Sequence, residues 1–479
     1  MKLLFINPVI RLSDKPRHIP HGLAIIANII RREFPEISID FLDLNALRPS
    51  HSKIIEFILH SKPDVVMTGG LIPVYSQLIT LSHEIKSLLP ECIIIAGGSA
   101  AMSIPELLLS RSSVDIVAMG EGEIIAPEII RELLENPQTR NFTTSGIAYI
   151  KDGVYTENPG NPLITDMDSE SALPAWDLLP MDVYLSNPIV GVGRDIDFIS
   201  SRGCPYRCTF CYQPWGRAFR AHSAAYIADA VMKLKKEYSI DFVSFQDDEF
   251  MVSRKRVVEF CELHNKHFPD LRWSCTGRVN LVNDDIVKLM VESGCTSISY
   301  GFESGSPRIL HEMNKNATLD QMSNALEINR KALLPVPVSF IIGMPGETME
   351  SCDETLSFAL ENNIKLDSLM FATPYPGTQL FDDALKSGLI SKEKLHDFVM
   401  NLGDARDFVI NLTSHFTDEE LINKRSEMMK IAEENYKTPT FEQIKDNIRK
   451  LYGPLATHFF DVSDDDAEHR AKHGSIGMF

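Results

Sequence analysis

The chain has 479 residues, with 47 Lys and Arg against 66 Asp and Glu, for a net charge of −19 at neutral pH. That length exceeds one ordinary domain, and the acidic balance argues against the broad basic footprint that nucleic-acid backbones require. No apolar run approaches the roughly 18 residues of a membrane span, and the N-terminus (Met1 to Pro8) lacks a signal peptide's cleavage site. A cytoplasmic location is expected, where thiols stay reduced.

Short apolar runs and helical spacing alternate over residues 1–140. Strands are expected at Lys2 to Ile6, Ser38 to Leu44, Asp64 to Thr68, Ile93 to Ala96 and Val114 to Ala118. Helices are expected at Leu23 to Arg32, Lys53 to His60 and Gln77 to Leu88. This alternation predicts an α/β, doubly wound parallel sheet. Such sheets bind ligands at the carboxyl ends of their strands. Those ends carry Gly69-Gly70, Gly97-Gly98 and Gly120-Glu121, where a bare backbone lets a bulky ligand approach.

Residues 141–193 read as a connector. It opens on a hairpin, Gly146 to Tyr155, with an Asp152-Gly153 turn. A Pro- and Asp-rich stretch follows, whose Trp176 is expected to pack between domains. Residues 194–400 return to strand–helix alternation, with strands at 195–200, 240–245, 271–276, 296–301, 336–342 and 367–372. Six such units predict a partial (βα)6 barrel, whose chemistry sits at the carboxyl strand ends. The remaining residues, 401–479, read as charged helices, Thr417 to Tyr436 and Thr440 to Tyr452, before an acidic tail. His458, His469 and His473 near that end lack convincing metal spacing.

The densest chemical signal follows the first barrel strand. Cys204, Cys208 and Cys211 stand in a CxxxCxxC spacing. Three thiolates are one short of a closed tetrahedral zinc site. They suit three irons of a [4Fe–4S] cluster whose fourth iron stays open. The residues alone leave two other readings: unrelated buried thiols, and a four-ligand site completed by a distant residue. The other cysteines, Cys92, Cys261, Cys275, Cys295 and Cys352, read as core thiols.

This motif resembles that of the radical S-adenosylmethionine (SAM) superfamily. The resemblance implies that Cys204, Cys208 and Cys211 ligate the cluster, that SAM chelates its open iron, and that Phe210 packs near the adenine. Further matches follow in family order at strand ends. Gln246-Asp247-Asp248-Glu249-Phe250 is similar to a loop that binds the SAM ammonium, with Asp247 and Asp248 the preferred residues and Glu249 secondary. Arg278 would pair with the SAM carboxylate. Glu303, in Gly301-Phe302-Glu303-Ser304-Gly305, would bind the ribose hydroxyls. Ile342 and Gly343 would offer backbone contact to SAM, with Glu347 and Thr348 capping the next helix. Tyr375 is expected to pack rather than to meet substrate. The C-terminal helices would form a cap over the barrel mouth.

The N-terminal region resembles the cobalamin-binding domain found upstream of many radical SAM proteins. Gly97-Gly98 matches, and Leu71 is what remains of a usual Ser-x-Leu. The Asp-x-His-x-x-Gly that ligates cobalt is absent, and neither His18 nor His21 has its spacing. The resemblance implies cobalamin held by Gly69, Gly70, Gly97, Gly98, Gly120 and Glu121, with the lower axial ligand undefined.

The resulting expectation is a cobalamin-dependent radical SAM enzyme that methylates an unactivated carbon of a small molecule, lipid or peptide. A 5′-deoxyadenosyl radical would abstract hydrogen, methylcobalamin would deliver the methyl group, and an external flavodoxin- or ferredoxin-type donor would supply the electron. The alternatives are oxidative cyclisation or rearrangement on the same scaffold, and a non-catalytic Fe–S and cobalamin-binding protein. A tRNA methylthiotransferase is disfavoured, since only Cys92 lies in the N-terminal region.

Overall fold

The computed structural model describes residues 1–137, 139, 141–189 and 193–457. The His458, His469 and His473 positions and the acidic tail lie outside them. The chain divides into two compact units. One holds Met1–Tyr184, Tyr212–Gly216 and Tyr375–Gly403; the other holds Leu185–Cys211, Arg217–Pro374 and Asp404–Phe479.

The N-terminal unit is built on seven strands: β1 Lys2–Asn7, β2 Ser38–Asp43, β3 Val65–Gly69, β4 Ile93–Gly97, β5 Ile116–Ala118, β6 Ile147–Lys151 and β7 Val154–Asn158. Their order is β2-β1-β3-β4-β5-β6-β7. The first five are parallel, and the β6–β7 hairpin adds antiparallel at the edge. Asp152 (φ 51°) and Gly153 (φ 78°) make its turn, both left-handed as a primed hairpin turn demands. Leu3, Phe5, Val65, Met67, Ile93 and Ile95 pack with Ile30 and Ile129 of flanking helices in one core. Each such side chain fully buried stabilises by about 1.5–3 kcal/mol. The order reverses between β1 and β3, so the ligand crevice of this sheet lies where those two strands end.

The connector as far as Tyr184 belongs to this unit, and Trp176 within it is buried. Asn28 Nδ2 donates to Leu173 O at 2.8 Å, and Tyr184 donates its hydroxyl to Asp43. Asp43 also accepts from Asn7 Nδ2 at 2.8 Å, so the connector is tied to the ends of β1 and β2.

The second unit carries β8 Asp195–Phe198, β11 Phe242–Phe245, β12 Arg272–Gly277, β13 Cys295–Glu303, β14 Val338–Ile342 and β15 Leu369–Phe371, all parallel, in the order β15-β14-β13-β12-β11-β8. A two-residue ribbon, β9 Ser201–Arg202 with β10 Arg220–Ala221, closes the excursion after β8. β8 and β15 do not pair, so the sheet is a curled half-barrel. Alternation sorts its faces. Trp273, Tyr300, Phe302 and Phe340 are buried on one face. The other carries Ser274, Thr276, Ser299 and Ser339, which stay partly or fully exposed in mid-sheet.

The C-terminal helices are present, and their described contacts lie along one edge and at the amino ends of the sheet. Helix Asp418–Asn435 covers the free edge of the sheet: Arg425 Nε donates to Leu369 O at 2.7 Å and its guanidinium lies over Phe371. Such cover blunts an edge that would otherwise template another strand. Its first turn reaches a carboxyl strand end, where Leu421 faces Gly343. Helix Phe441–Tyr452 lies at the amino ends, with Arg272 Nε donating to Leu451 O at 2.8 Å and Tyr452 stacked on Phe242. No described helix is long and apolar enough to cross a membrane.

Candidate functional site

Gly203, at φ 81°, turns the chain out of the β9 ribbon into the cysteine loop. Cys208 is buried, Cys204 half-buried and Cys211 more exposed. Cys211 hydrogen-bonds Cys208, which pulls the Cys208 thiol down to about 6 against its burial, helped by the charges of Lys315 and Arg278. The same bond pushes the Cys211 thiol up. Burial raises Cys204. Among the described residues no His, Cys, Asp and Glu cluster forms a cage for a single metal ion. A cluster makes no such demand, because each thiolate binds a different iron. Phe210, on this loop, is half-buried.

The acidic loop after β11 divides its labour. Asp247 is buried and accepts from Ser200 N and Ser200 Oγ, both at 2.6 Å, from Ser201 Oγ at 2.7 Å and from Arg256 Nη2 at 3.4 Å. Both its oxygens are committed to the strand that feeds the cysteine loop, which corrects the expectation that Asp247 meets the SAM ammonium. Asp248 is accessible, with its carboxyl raised by desolvation and by the Asp247 charge, and it accepts from the Gly203 N–H. Glu249 is buried and pushed up to about 7 by that burial, and its Oε1 accepts from Met251 N at 3.0 Å. Asp248 and Glu249 are therefore the acids with capacity left for a cation.

Arg278 is buried beyond β12. Its guanidinium stacks 3.6 Å over Tyr206, and Nη1 lies 3.9 Å from Cys208 Sγ. Nε and Nη2 are buried with no hydrogen-bond partner. Two orphaned donors on a buried cation suit a carboxylate.

Glu303 ends β13 at φ 68°, beside a register shift between Gly301 and Glu303. A non-glycine residue held there costs about 1–3 kcal/mol, a strain often found at functional sites. The bend folds the carboxylate back so that a Cβ at Gly301 would meet Glu303 Oε1 at 2.1 Å. Glu303 accepts from Lys315 Nζ at 2.8 Å, both side chains buried.

Ile342 is buried, and the Gly343 N–H is taken by Glu347, which also accepts Met344 N at 3.2 Å. Glu347 thus closes the turn, while Thr348 alone caps the next helix through Ser351 N at 3.3 Å. The Gly343 N–H is committed to that turn. Tyr375 packs as expected, donating to Gly403 O at 3.0 Å.

The donor set fits the expected groups: three thiols on one loop, an anion receptor against Cys208, and acids nearby. Sequence reasoning missed Lys315, Arg256 and the segment Met313–Asn316. A signal existed in Asn314-Lys315-Asn316, since Asn tolerates left-handed backbone; both asparagines adopt it, at φ 53° and 51°.

The N-terminal strand ends look different. A Cβ at Gly69 would meet Gly97 O at 2.3 Å, and one at Gly98 would meet Gly70 O at 2.7 Å. These glycines are required by the close approach of the two strand ends to each other. Gly70 O accepts Ala100 N at 3.1 Å. Gly97 has only ordinary contact with Ala118. Gly120 packs against Pro162, and Glu121 is fully buried, accepting Ile164 N. Both contacts fasten the connector to this strand end. His21 opens helix His21–Glu33 and is buried. At the ends of β1 and β3 three apolar side chains stand uncovered, Ile10, Leu12 and Leu71 at 39%, 79% and 58% exposed, with the exposed polar residues Ser13, Asp14, Lys15, Arg17 and His18 following in the loop after β1. An apolar surface at the switch point suits the broad face of a corrin.

Residues 198–359 match the Radical SAM superfamily, and residues 8–130 match the B12 binding domain. The chain is 32% identical over 405 residues to an uncharacterized methyltransferase of Pyrococcus horikoshii, covering 84% of this chain and 85% of that one. It is 28% identical over 355 residues to the anaerobic magnesium-protoporphyrin IX monomethyl ester cyclase of Cereibacter sphaeroides, covering 72% of this chain and 56% of that one. Among solved structures, the cobalamin-dependent radical SAM enzyme OxsB, with aqua-cobalamin and SAM bound, superposes with a TM-score of 0.65 at 20% identity, covering 91% of this chain and 62% of that one. At that identity the likeness is one of fold.

Proposed function

The chain belongs to the radical SAM superfamily and carries a B12-binding domain, and from that premise we propose that it is a methyltransferase acting on an unactivated carbon of a small molecule. The observation that carries the reading is Arg278, a buried guanidinium with two unpaired nitrogens against Cys208. Cys204, Cys208 and Cys211 hold the cluster. Arg278 takes the SAM carboxylate, Glu249 and Asp248 its ammonium, and Glu303 the ribose hydroxyls. Ile10, Leu12 and Leu71 meet the corrin. When bound, cluster and SAM supply one-electron cleavage and hydrogen abstraction, and cobalamin supplies methyl transfer. The protein orients SAM and withholds water from it. A soluble one-electron donor of the flavodoxin or ferredoxin type, in the cytoplasm, completes the system.

The test is anaerobic incubation of the reconstituted protein with SAM and dithionite. 5′-Deoxyadenosine should form, and no excess over a Cys208→Ala control would sink the reading. Retained corrin absorbance after hydroxocobalamin loading and desalting tests the second cofactor. Similarity to the cyclase over 72% of this chain favours oxidative ring closure as the second reading. Methylation releases S-adenosylhomocysteine alongside 5′-deoxyadenosine; ring closure releases only the latter.

A further inference from the structure

Nothing in the cysteine motif points to Met313–Asn316, which lies about a hundred residues away in sequence. This turn is nevertheless laced to the cysteine loop. Thr209 N donates to Met313 O at 3.0 Å, and Asn314 Nδ2 donates to Arg207 O at 2.9 Å. Left-handed backbone at Asn314 and Asn316 makes the chain double back on either side of Lys315. Lys315 N is itself fixed, donating to Leu310 O at 2.9 Å. The lysine is 6% exposed and meets Glu303 Oε1 at 2.8 Å. Gly301 is the position where any side chain would collide with that pair, since a Cβ there would stand 3.1 Å from Lys315 Nζ.

We infer that Lys315 is a positioning residue that couples the two halves of the site: it holds the Glu303 carboxylate in its strained orientation for SAM, and it sets a buried positive charge beside the cluster loop. This rests on the radical SAM reading above. A buried ammonium with one carboxylate partner is a fixed charge. The Glu303 carboxylate, 2.8 Å away and itself buried, holds that charge in place. A cation at that place stabilises the more negative, reduced state of the cluster, because burial leaves the interaction weakly screened. The turn thus ties SAM recognition to ease of reduction.

The experiment uses the full chain with its cluster reconstituted anaerobically. The midpoint potential of the cluster is read by EPR-monitored titration without SAM, and SAM affinity by equilibrium dialysis. Lys315→Met should move the midpoint to more negative potential and weaken SAM binding at least about tenfold, as loss of a charge-assisted bond implies. Lys315→Arg should keep the midpoint near wild type. Glu303→Gln should also weaken SAM binding but move the midpoint the opposite way, since it removes a negative charge. A merely structural lysine would not produce opposite shifts. Unchanged midpoint and affinity in Lys315→Met overturn the inference, as do shifts of the same sign in both variants. If Lys315→Met fails to hold iron, the sign of the Glu303→Gln shift decides. A wild-type protein that holds no cluster overturns the proposed function instead.

Discussion

The carboxyl ends of the two parallel sheets were both expected to bind cofactors, and they are built on opposite principles. In the six-stranded sheet the strand ends hold buried charge with spare capacity: Arg278 has two unpaired nitrogens, Glu249 is pushed up to about 7, and Glu303 sits at a strained φ of 68°. In the seven-stranded sheet the glycine strand ends close on one another, Glu121 is spent on the connector, and three apolar side chains, Ile10, Leu12 and Leu71, are left uncovered. A small zwitterion is recognised by placing charges, which must be kept unpaired until it arrives. A large flat ring is recognised by area, which needs only side chains left uncovered.

That contrast can be broken by experiment, beginning with the largest effect. Cys208→Ala should abolish 5′-deoxyadenosine formation and lower bound iron, yet leave hydroxocobalamin retention as in wild type; loss of both cofactors would mean that the two sites are not separable. The next effect is on stability. His264 is buried between Phe260 and Phe268, and burial pulls its pKa from 6.5 down to about 4. Its folded pKa is depressed, so folding favours the neutral ring. The stability present above pH 6.5 should fall by about 3 kcal/mol as pH drops towards 4. Denaturant melts at pH 7 and pH 4.5 should show that loss, and a His264→Phe protein should show less of it. Arg278→Met should weaken SAM binding by roughly 10- to 100-fold, with Arg278→Lys only a partial rescue because a point charge lacks the fork; equilibrium dialysis of the holoenzyme measures both. The smallest change in stability is expected for Leu71→Asp. An exposed substitution should shift it by no more than about 0.5 kcal/mol, while corrin retention after desalting falls. Full retention would remove the apolar patch from the cobalamin site.

The cluster residues were legible because three cysteines within eight positions form a local pattern. Glu303 was legible for a similar reason: Gly301 sits two residues before it, and the structure shows that the folded-back carboxylate allows no side chain there. Asp247 and Glu249 were less so. Adjacent acids look alike in sequence, and only the Ser200, Ser201 and Arg256 donors make Asp247 structural while Glu249 keeps capacity. Gly120 and Glu121 pose the same difficulty. Their place at a strand end is shared by binding residues and by residues that anchor a connector, and Pro162 and Ile164 decide which they are. The C-terminal helices were visible as helices, but Leu369 and Leu451, the carbonyls they dock on, set their position along the edge and at the amino ends.

By itself the sequence determined the two α/β sheets, the order of their strands along the chain and the three thiols. Each depends on neighbours a few residues apart, where periodicity and spacing carry the physics. The tertiary structure decided which buried charges are already paired. It brought Lys315 to Glu303, set Arg278 against Cys208 and left Leu71 uncovered, because whether a polar group is satisfied depends on atoms that the chain supplies from far away.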